Sequence, residues 1–138
     1  MRYALIGFML ALGFSSTASA EPTAEQLRDT IRQYVSTQEK NNGAFVIPDP
    51  KEGKGLLRTL SLVRVHERVG KTGDYYYSCT DMKDAKTGDE LDLDYDVQDT
   101  AGKLEVVAVR IHKDNGRPRY TYGDNDKLIF LANEKSAD

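Results

Sequence analysis

After Gly43, tight-turn residues recur every ten to fifteen positions, and this spacing limits how long any helix or strand between them can be. The turns are rich in glycine, asparagine and aspartate, whose backbones adopt the conformations that tight turns require. The clearest is Asn115-Gly116, because Asn-Gly between two extended runs is typical of a type I′ hairpin. Extended runs joined by short turns predict an antiparallel meander of about five to six strands. The runs are residues 44–47, 56–69, 74–82, 91–97, 103–112 and 117–122.

The segment before Gly43 has a different period, which predicts a single N-terminal helix. Thr23 and Gln26 have the spacing of a capping box, in which each side chain accepts a hydrogen bond from the backbone N–H of the other residue. Apolar residues then follow at the period of one helix face: Leu27, Ile31, Tyr34 and Val35. Gly43 is suited to the left-handed conformation that ends a helix.

One helix followed by a meander predicts an α+β domain in which the helix covers one face of the sheet. In the order of its elements, this arrangement resembles the cystatin-like one, a helix followed by a curved antiparallel sheet; the resemblance is one of topology. We expect a single domain at residues 21–132 and a flexible tail at residues 133–138.

The first 20 residues have the three parts of a secretory signal peptide. Arg2 supplies a positive charge, residues 3–14 are apolar, and Ala18-Ser19-Ala20 matches the small-residue pattern that precedes cleavage. The apolar run is too short to cross a bilayer as a helix. We therefore expect a signal peptide at residues 1–20 and a periplasmic or secreted product. Since the residue directly after the cleavage position is Glu21 and not a cysteine, no membrane anchor is expected.

The charge balance and the motif content argue against several classes of function. The chain has a formal net charge of −3, whereas nucleic-acid binding requires a basic face, so nucleic acid is not an expected partner. The sequence contains no phosphate-binding glycine loop, dinucleotide-binding motif, nucleophile elbow or zinc-ligand run. We therefore expect neither a cofactor nor a bound metal.

The second predicted strand does not keep one alternation. Leu60 and Leu62 have one parity, whereas Val63 and Val65 have the other. A β-bulge near Leu62 and Val63 would return the later pair to the core, and we favour it over a strand buried on both faces. The fifth predicted strand is ambiguous in the same way, and burial on both faces there would indicate a central strand.

The fourth predicted strand alternates without a break. Its apolar residues are predicted to face the core together: Leu91, Leu93, Tyr95 and Val97. Asp92, Asp94 and Asp96 then share the opposite face about 6 to 7 Å apart, where like charges repel. We call these three residues the acidic ladder. Either it binds a cationic ligand or a basic partner, or cations on adjacent strands neutralise it, with Arg64, Arg68, Lys103 and Arg110 as candidates.

Three successive tyrosines, Tyr75, Tyr76 and Tyr77, lie on the third predicted strand, so each sheet face receives at least one phenol ring. Aromatic rings on a concave sheet form contact surfaces for ligands or proteins, and they also fill cores with the hydroxyl at the edge. Together with the acidic ladder, these tyrosines are the residues predicted to bind a ligand or partner.

Two histidines and one cysteine are the remaining candidates for chemistry. His66 and His112 lie near strand ends, and Cys79 is the only cysteine, so no disulfide can form within the chain. The mid-strand position of Cys79 predicts a small buried side chain. A thiolate–imidazole or metal site would need these side chains to converge, and their spacing gives no sign of it. No catalytic residue is assigned.

These features predict a small exported binding or interaction module without catalytic activity, which presents a tyrosine-rich and acidic sheet face to a protein or a cationic ligand. The alternative is a small secreted hydrolase that uses His66 or His112 with an aspartate or Cys79. Nothing in the sequence selects an oligomeric state.

Overall fold

The computed structural model describes residues 20–51, 56–124 and 127–131. Within them, one α-helix packs against a six-stranded antiparallel sheet, which confirms the predicted α+β class. The predicted signal peptide, apart from Ala20, and the predicted tail at residues 133–138 lie outside the described residues. Among the described residues, no helix has the length and apolar character needed to cross a membrane.

Helix α1 spans Ala24–Asn42, and both of its ends are capped as predicted. The Gln26 N–H donates to Thr23 Oγ1 at 3.2 Å, and the Thr23 N–H donates to Gln26 Oε1 at 2.8 Å. Gly43 ends the helix with a φ of 79°, in the left-handed region. The apolar stripe of the helix buries three side chains against the sheet: Leu27, Ile31 and Val35.

The main sheet is a meander in which strands pair in chain order. Its strands are β1 Phe45–Asp49, β2 Leu56–Thr72, β3 Tyr75–Asp84, β4 Glu90–Thr100, β5 Lys103–Asp114 and β6 Arg117–Pro118. A separate two-stranded sheet follows, made of β7 Tyr120–Tyr122 and β8 Leu128–Phe130. Asn115 and Gly116 have φ values of 49° and 77°, as the predicted type I′ turn requires.

The prediction of one continuous strand over residues 117–122 is wrong, because the chain leaves the main sheet at Arg119. The Arg119 N–H donates to the His112 carbonyl at 2.8 Å, beside β5. The guanidinium of Arg119, however, binds the carboxylates of Asp49 and Asp114. The strand therefore ends where this side chain finds its acidic partners, and β7 starts a new sheet.

The apolar residues of β4 face α1, as their alternation predicts. All four are at most 1% exposed and belong to the same core cluster as the buried helix residues: Leu91, Leu93, Tyr95 and Val97. Burial of each such side chain contributes roughly 1.5–3 kcal/mol. Helix α1 also contacts β1, β2, β3 and β5, so it packs across most of the sheet.

A β-bulge in β2 resolves its broken alternation, as predicted. Val63 has no partner in β3, because the pairing runs from Leu62 directly to Arg64. Val65 consequently faces the core, whereas Val63 itself is 63% exposed. Only one residue of the later pair therefore returns to the core.

Strand β5 also keeps a single core face by means of a bulge, and it is not buried on both faces. Val107 has no partner in β4, because the pairing runs from Val106 directly to Ala108. Val107 is 48% exposed as a result. The core-facing residues are Leu104 and Val106 before the bulge and Val109 and Ile111 after it.

Candidate functional site

The face of the main sheet opposite α1 carries a fully buried carboxylate, that of Asp94. Its Oδ2 accepts hydrogen bonds from the hydroxyls of Tyr120 and Tyr122, at 2.6 and 2.7 Å. Its Oδ1 accepts a hydrogen bond from the Cys79 thiol, whose Sγ is 2.7 Å away, and His112 Nδ1 lies 3.5 Å from the same oxygen. We call these five residues the Asp94 cluster.

Three neighbouring strands position the centre of the cluster. Cys79 on β3 lies directly opposite Asp94 on β4. His112 on β5 is a second bulge residue, since the pairing with β4 runs from Ile111 directly to Lys113. Bulges re-aim side chains, and this one leaves the His112 ring facing the Asp94 carboxylate.

Aromatic stacking covers the cluster. The Tyr120 ring stacks on His112 with centroids 4.8 Å apart, and the Tyr122 ring stacks on Tyr77 at 6.2 Å. Tyr77 lies so close to Gly70 that an added Cβ there would fall 2.5 Å from its ring. The absence of a side chain at Gly70 thus gives room to the ring that supports Tyr122.

The other two aspartates of the acidic ladder pair with cations on β5. The Asp96 carboxylate accepts two hydrogen bonds from the Arg110 guanidinium, at 2.6 and 2.7 Å. Asp92 Oδ2 lies 2.9 Å from Lys113 Nζ. The ladder therefore has paired charges at both ends and a covered, buried charge in the middle.

The three successive tyrosines do not form one surface. Tyr75 is 41% exposed, Tyr76 packs against the hydrophobic core, and Tyr77 stacks on Tyr122 of the Asp94 cluster. Each of the predicted binding tyrosines thus has a different environment.

The electrostatics of the Asp94 cluster favour a protonated thiol. Burial raises the pKa of Asp94, but hydrogen bonds from His112, Cys79 and the two tyrosines outweigh burial and hold this pKa well below its ordinary value. Burial and then the Asp94 charge raise the pKa of the Cys79 thiol well above its ordinary range. The active nucleophile is the thiolate, so this environment weighs against Cys79 as the nucleophile of a hydrolase.

The residues of the hydrolase hypothesis are only partly brought together. His112, Cys79 and Asp94 converge, whereas His66 binds elsewhere, with Nε2 2.6 Å from Asp81 Oδ1. Cys79 is half-buried and contacts a carboxylate, so it is not the small core residue that its position predicts.

Sequence reasoning missed the assembly of the Asp94 cluster. The signal in the sequence was incomplete: counting outward from Lys86-Thr87-Gly88 would place Cys79 opposite Tyr95. The actual turn also includes Ala85, so Lys83 pairs with Glu90 and Cys79 lies opposite Asp94. The two tyrosines of β7 gave no such signal, because they follow the break at Arg119.

A second buried polar network lies at one end of the helix-facing side of the sheet. The Arg58 guanidinium is surrounded by four carboxylates: Asp89 at 2.8 Å, Asp49 at 2.9 Å, Asp84 at 3.4 Å and Asp114 at 3.5 Å. Arg119 shares Asp49 and Asp114 with it. This network ties together β1, β2, the ends of β3 and β5, and the β3–β4 turn.

An apolar cleft of about 1020 Å³ lies between β1 and β5, beside Tyr34 of the helix. Most of its wall is aliphatic or aromatic, with contributions from Val46, Ile47 and Pro48 on β1, Val107 and Val109 on β5, and Phe130 on β8. The Asp49–Arg119 pair also lies in the wall. The cleft shares Tyr120 with the Asp94 cluster, so the two sites are neighbours.

No protein-family model, curated protein or solved structure matches this chain.

Proposed function

We propose that this protein is a non-catalytic binding module whose cleft between β1 and β5 holds a small molecule with an apolar body. The observation that carries the proposal is the exposure of large apolar side chains along the cleft: Val46, Val107, Leu131 and, at 72%, Phe130. Soluble proteins rarely expose contiguous apolar surface that binds nothing. A ligand in the cleft would cover these side chains.

The size and chemistry of the cleft suit a small molecule. Ligand pockets are typically about 300–1,000 Å³ and mostly apolar, with a few polar groups that fix orientation. This cleft has a volume of about 1020 Å³, and its polar wall includes Lys51 and Arg119. A ligand with an apolar body and a polar end directed at Lys51 fits this distribution.

An extended polypeptide is the main alternative occupant, because β1 and most of β5 have an open edge among the residues that the structure describes. Pro48 removes a backbone donor from β1, and the Val107 bulge distorts β5. Proteins use both features to blunt strand edges against pairing. They favour a ligand held by side-chain contacts over an added strand.

The proposal keeps the predicted binding module and assigns it a different surface. Asp92 and Asp96 already pair with Lys113 and Arg110, which leaves these two residues of the acidic ladder little free charge for a cationic ligand or a basic protein. The predicted signal peptide supports a periplasmic or secreted location, where the protein would meet its ligand.

Binding of N-phenyl-1-naphthylamine, an uncharged apolar dye, tests the proposal. We expect a saturable, one-to-one fluorescence increase on adding the dye to the folded protein. Val107→Lys places an ammonium group in the cleft wall, and covering that charge with an apolar ligand is unfavourable. This variant should therefore bind the dye at least about tenfold more weakly.

Val63→Lys is the matched control, because Val63 is also an exposed valine at a β-bulge but does not line the cleft. It should bind like the unmodified protein. Equal binding by Val107→Lys, or equal losses in both variants, would reject the cleft as the binding site. Displacement of the dye by an alternating-valine peptide, in preference to small apolar molecules, would point to strand addition.

A further inference from the structure

The Asp94 cluster contains three metal-ligand atoms of different kinds. Cys79 offers a sulfur, Asp94 a carboxylate oxygen and His112 an imidazole nitrogen, and these atoms all lie within 4.8 Å of one another. Zinc binds these three donor types at about 2.0–2.3 Å, so side-chain shifts of about 1 Å would close them around an ion.

The Asp94 charge is a second, independent reason to look for a cation. The carboxylate is fully buried, yet across residues 20–51, 56–124 and 127–131 no lysine or arginine forms a salt bridge with it. The basic group nearest to it is His112. Buried charges in proteins are paired with an opposite charge or bind a metal, and among the described residues no lysine or arginine supplies the first arrangement here.

We propose that Cys79, Asp94 and His112 bind a divalent transition-metal ion, with zinc the best match to their donor set. Cys79 as thiolate and Asp94 as carboxylate would give the site two negative charges. A divalent cation neutralises both, which lowers the cost of burying them. None of the three proposed ligands lines the cleft, which shares Tyr120 with the Asp94 cluster, and the metal proposal does not depend on the function proposed for the cleft.

The two tyrosines orient the carboxylate for this role. Because Tyr120 and Tyr122 both donate to Oδ2, the other oxygen of Asp94 is left facing the sulfur and the imidazole. Hydrogen bonds of this kind, made to the ligands rather than to the metal, typically change metal affinity about 10–100-fold. Tyr120 also stacks on His112 and so restricts the orientation of its ring.

Metal binding is coupled to the release of one proton. In the metal-free cluster the Cys79 thiol donates its hydrogen to Asp94. On coordination the S–H bond breaks, its proton leaves to solvent, and the freed sulfur electron pair bonds the metal. No electron is transferred. Since the proton and the metal compete for the sulfur, the affinity rises with pH.

Titration of the reduced protein with Co²⁺ and then Zn²⁺ tests this site. We expect one Co²⁺ per chain, bound with release of one proton and with a near-ultraviolet absorption from thiolate-to-cobalt charge transfer. Zn²⁺ should then displace the Co²⁺ completely, without further proton release. Cys79→Ala should lose the absorption band. His112→Phe keeps an aromatic ring against Tyr120 and should lower the affinity for both ions at least about tenfold.

His66→Phe is the matched control, because it removes the other histidine, which binds Asp81. Its metal binding should equal that of the unmodified protein, and circular dichroism establishes that each variant is folded. A missing charge-transfer band in the unmodified protein would overturn the proposal. Metal affinity that is unchanged in both Cys79→Ala and His112→Phe would overturn it equally. If one of these two variants does not fold, the metal affinity of the other decides whether the proposal stands.

Discussion

Arg119 and Asp49 form a bidentate ion pair across 70 positions of the chain, with Nη2 3.1 Å from Oδ2. Asp49 ends β1 and Arg119 follows β6, so the pair connects the two edge strands of the six-stranded sheet. Arg58 donates to the same carboxylate from β2 at 2.9 Å. Both guanidiniums are largely buried, so this contact sets how closely the two sides of the cleft approach at this end.

Replacing Arg58 with methionine should lower the free energy of unfolding by about 3–5 kcal/mol, because it leaves buried carboxylates without their shared cation. Asp49 and Asp84, two of its partners, are only 2% exposed. Urea unfolding measures the loss. The control is Arg64→Met, which removes an arginine whose side chain is 69% exposed from its pair with Asp81. It should lower the free energy of unfolding by less than about 1 kcal/mol. Similar losses in the two variants would contradict the claim that burial makes the Arg58 network more important for stability.

Acid should destabilise the protein as the pH falls from about 5 to about 2. Burial raises the pKa of Asp49, but hydrogen bonds from Arg119, the Lys51 N–H and Arg58 outweigh it and hold this pKa well below its ordinary value. Hydrogen bonds lower the pKa of Asp89 to about 2. The unfolded chain, with aspartate pKa values of about 3.9, therefore binds more protons in this range, and protonation favours unfolding. Urea midpoints from about pH 7 to about pH 2.5 measure the decline.

Asp49→Asn provides the check on that pH dependence. It should be less stable than the unmodified protein at neutral pH, because Arg58 and Arg119 lose a charged partner. Its stability should also fall less steeply in acid, since one carboxylate with a lowered pKa is gone. An unchanged slope would show that Asp49 does not contribute to acid unfolding.

Tyr122→Phe should cost about 1.5–3 kcal/mol of stability, because it removes a hydrogen bond to the buried Asp94 charge. The hydroxyl oxygen lies 2.7 Å from Oδ2. Thermal and urea unfolding both report the loss. Tyr75→Phe removes a hydroxyl from a ring that is 41% exposed, and it should change stability by less than about 0.5 kcal/mol. A neutral Tyr122→Phe would mean that water replaces the hydroxyl at the carboxylate.

Cys79 should react with iodoacetamide at least about tenfold more slowly in the native protein than in urea at mildly alkaline pH, because only the thiolate is alkylated. Burial and the Asp94 charge raise the thiol pKa, so little thiolate forms. Asp94→Asn removes that charge and should speed the reaction. Asp81→Asn, on the same strand as Cys79 but bonded to His66, should leave the rate unchanged. Equal rates in all folded forms would mean that access, and not the pKa, limits alkylation.

The predictable part of the fold depends on contacts that are local in sequence. The Thr23 capping box, the Gly43 terminus and the Asn115-Gly116 turn each depend on neighbouring residues, and all three form as predicted. The Val63 bulge is predictable for a related reason: only an inserted residue returns a strand with broken alternation to one core face.

The burial of Asp94 beneath the two tyrosines of β7 could not be predicted from local patterns. Alternation along β4 places Asp94 on the sheet face opposite the one that packs against α1. A strand pattern does not reveal, however, whether that opposite face is exposed to solvent. The cover comes from β7, whose position follows from the break at Arg119, and that break depends on Asp49, 70 positions earlier. The bulge at His112 is equally hidden, because it becomes visible only in the pairing with β4.

The valine bulges make the chain tolerant of small changes in length. Deleting a residue at an ordinary strand position turns every later side chain to the opposite face. Deleting Val63 or Val107 does not, because the residues on either side already pair with consecutive residues of the neighbouring strand. Evolution can therefore remove either of these two residues while the core and the Asp94 cluster keep their register. At Val107 such a deletion changes one wall of the cleft, so the shape of the cleft can diverge among descendants that share this fold.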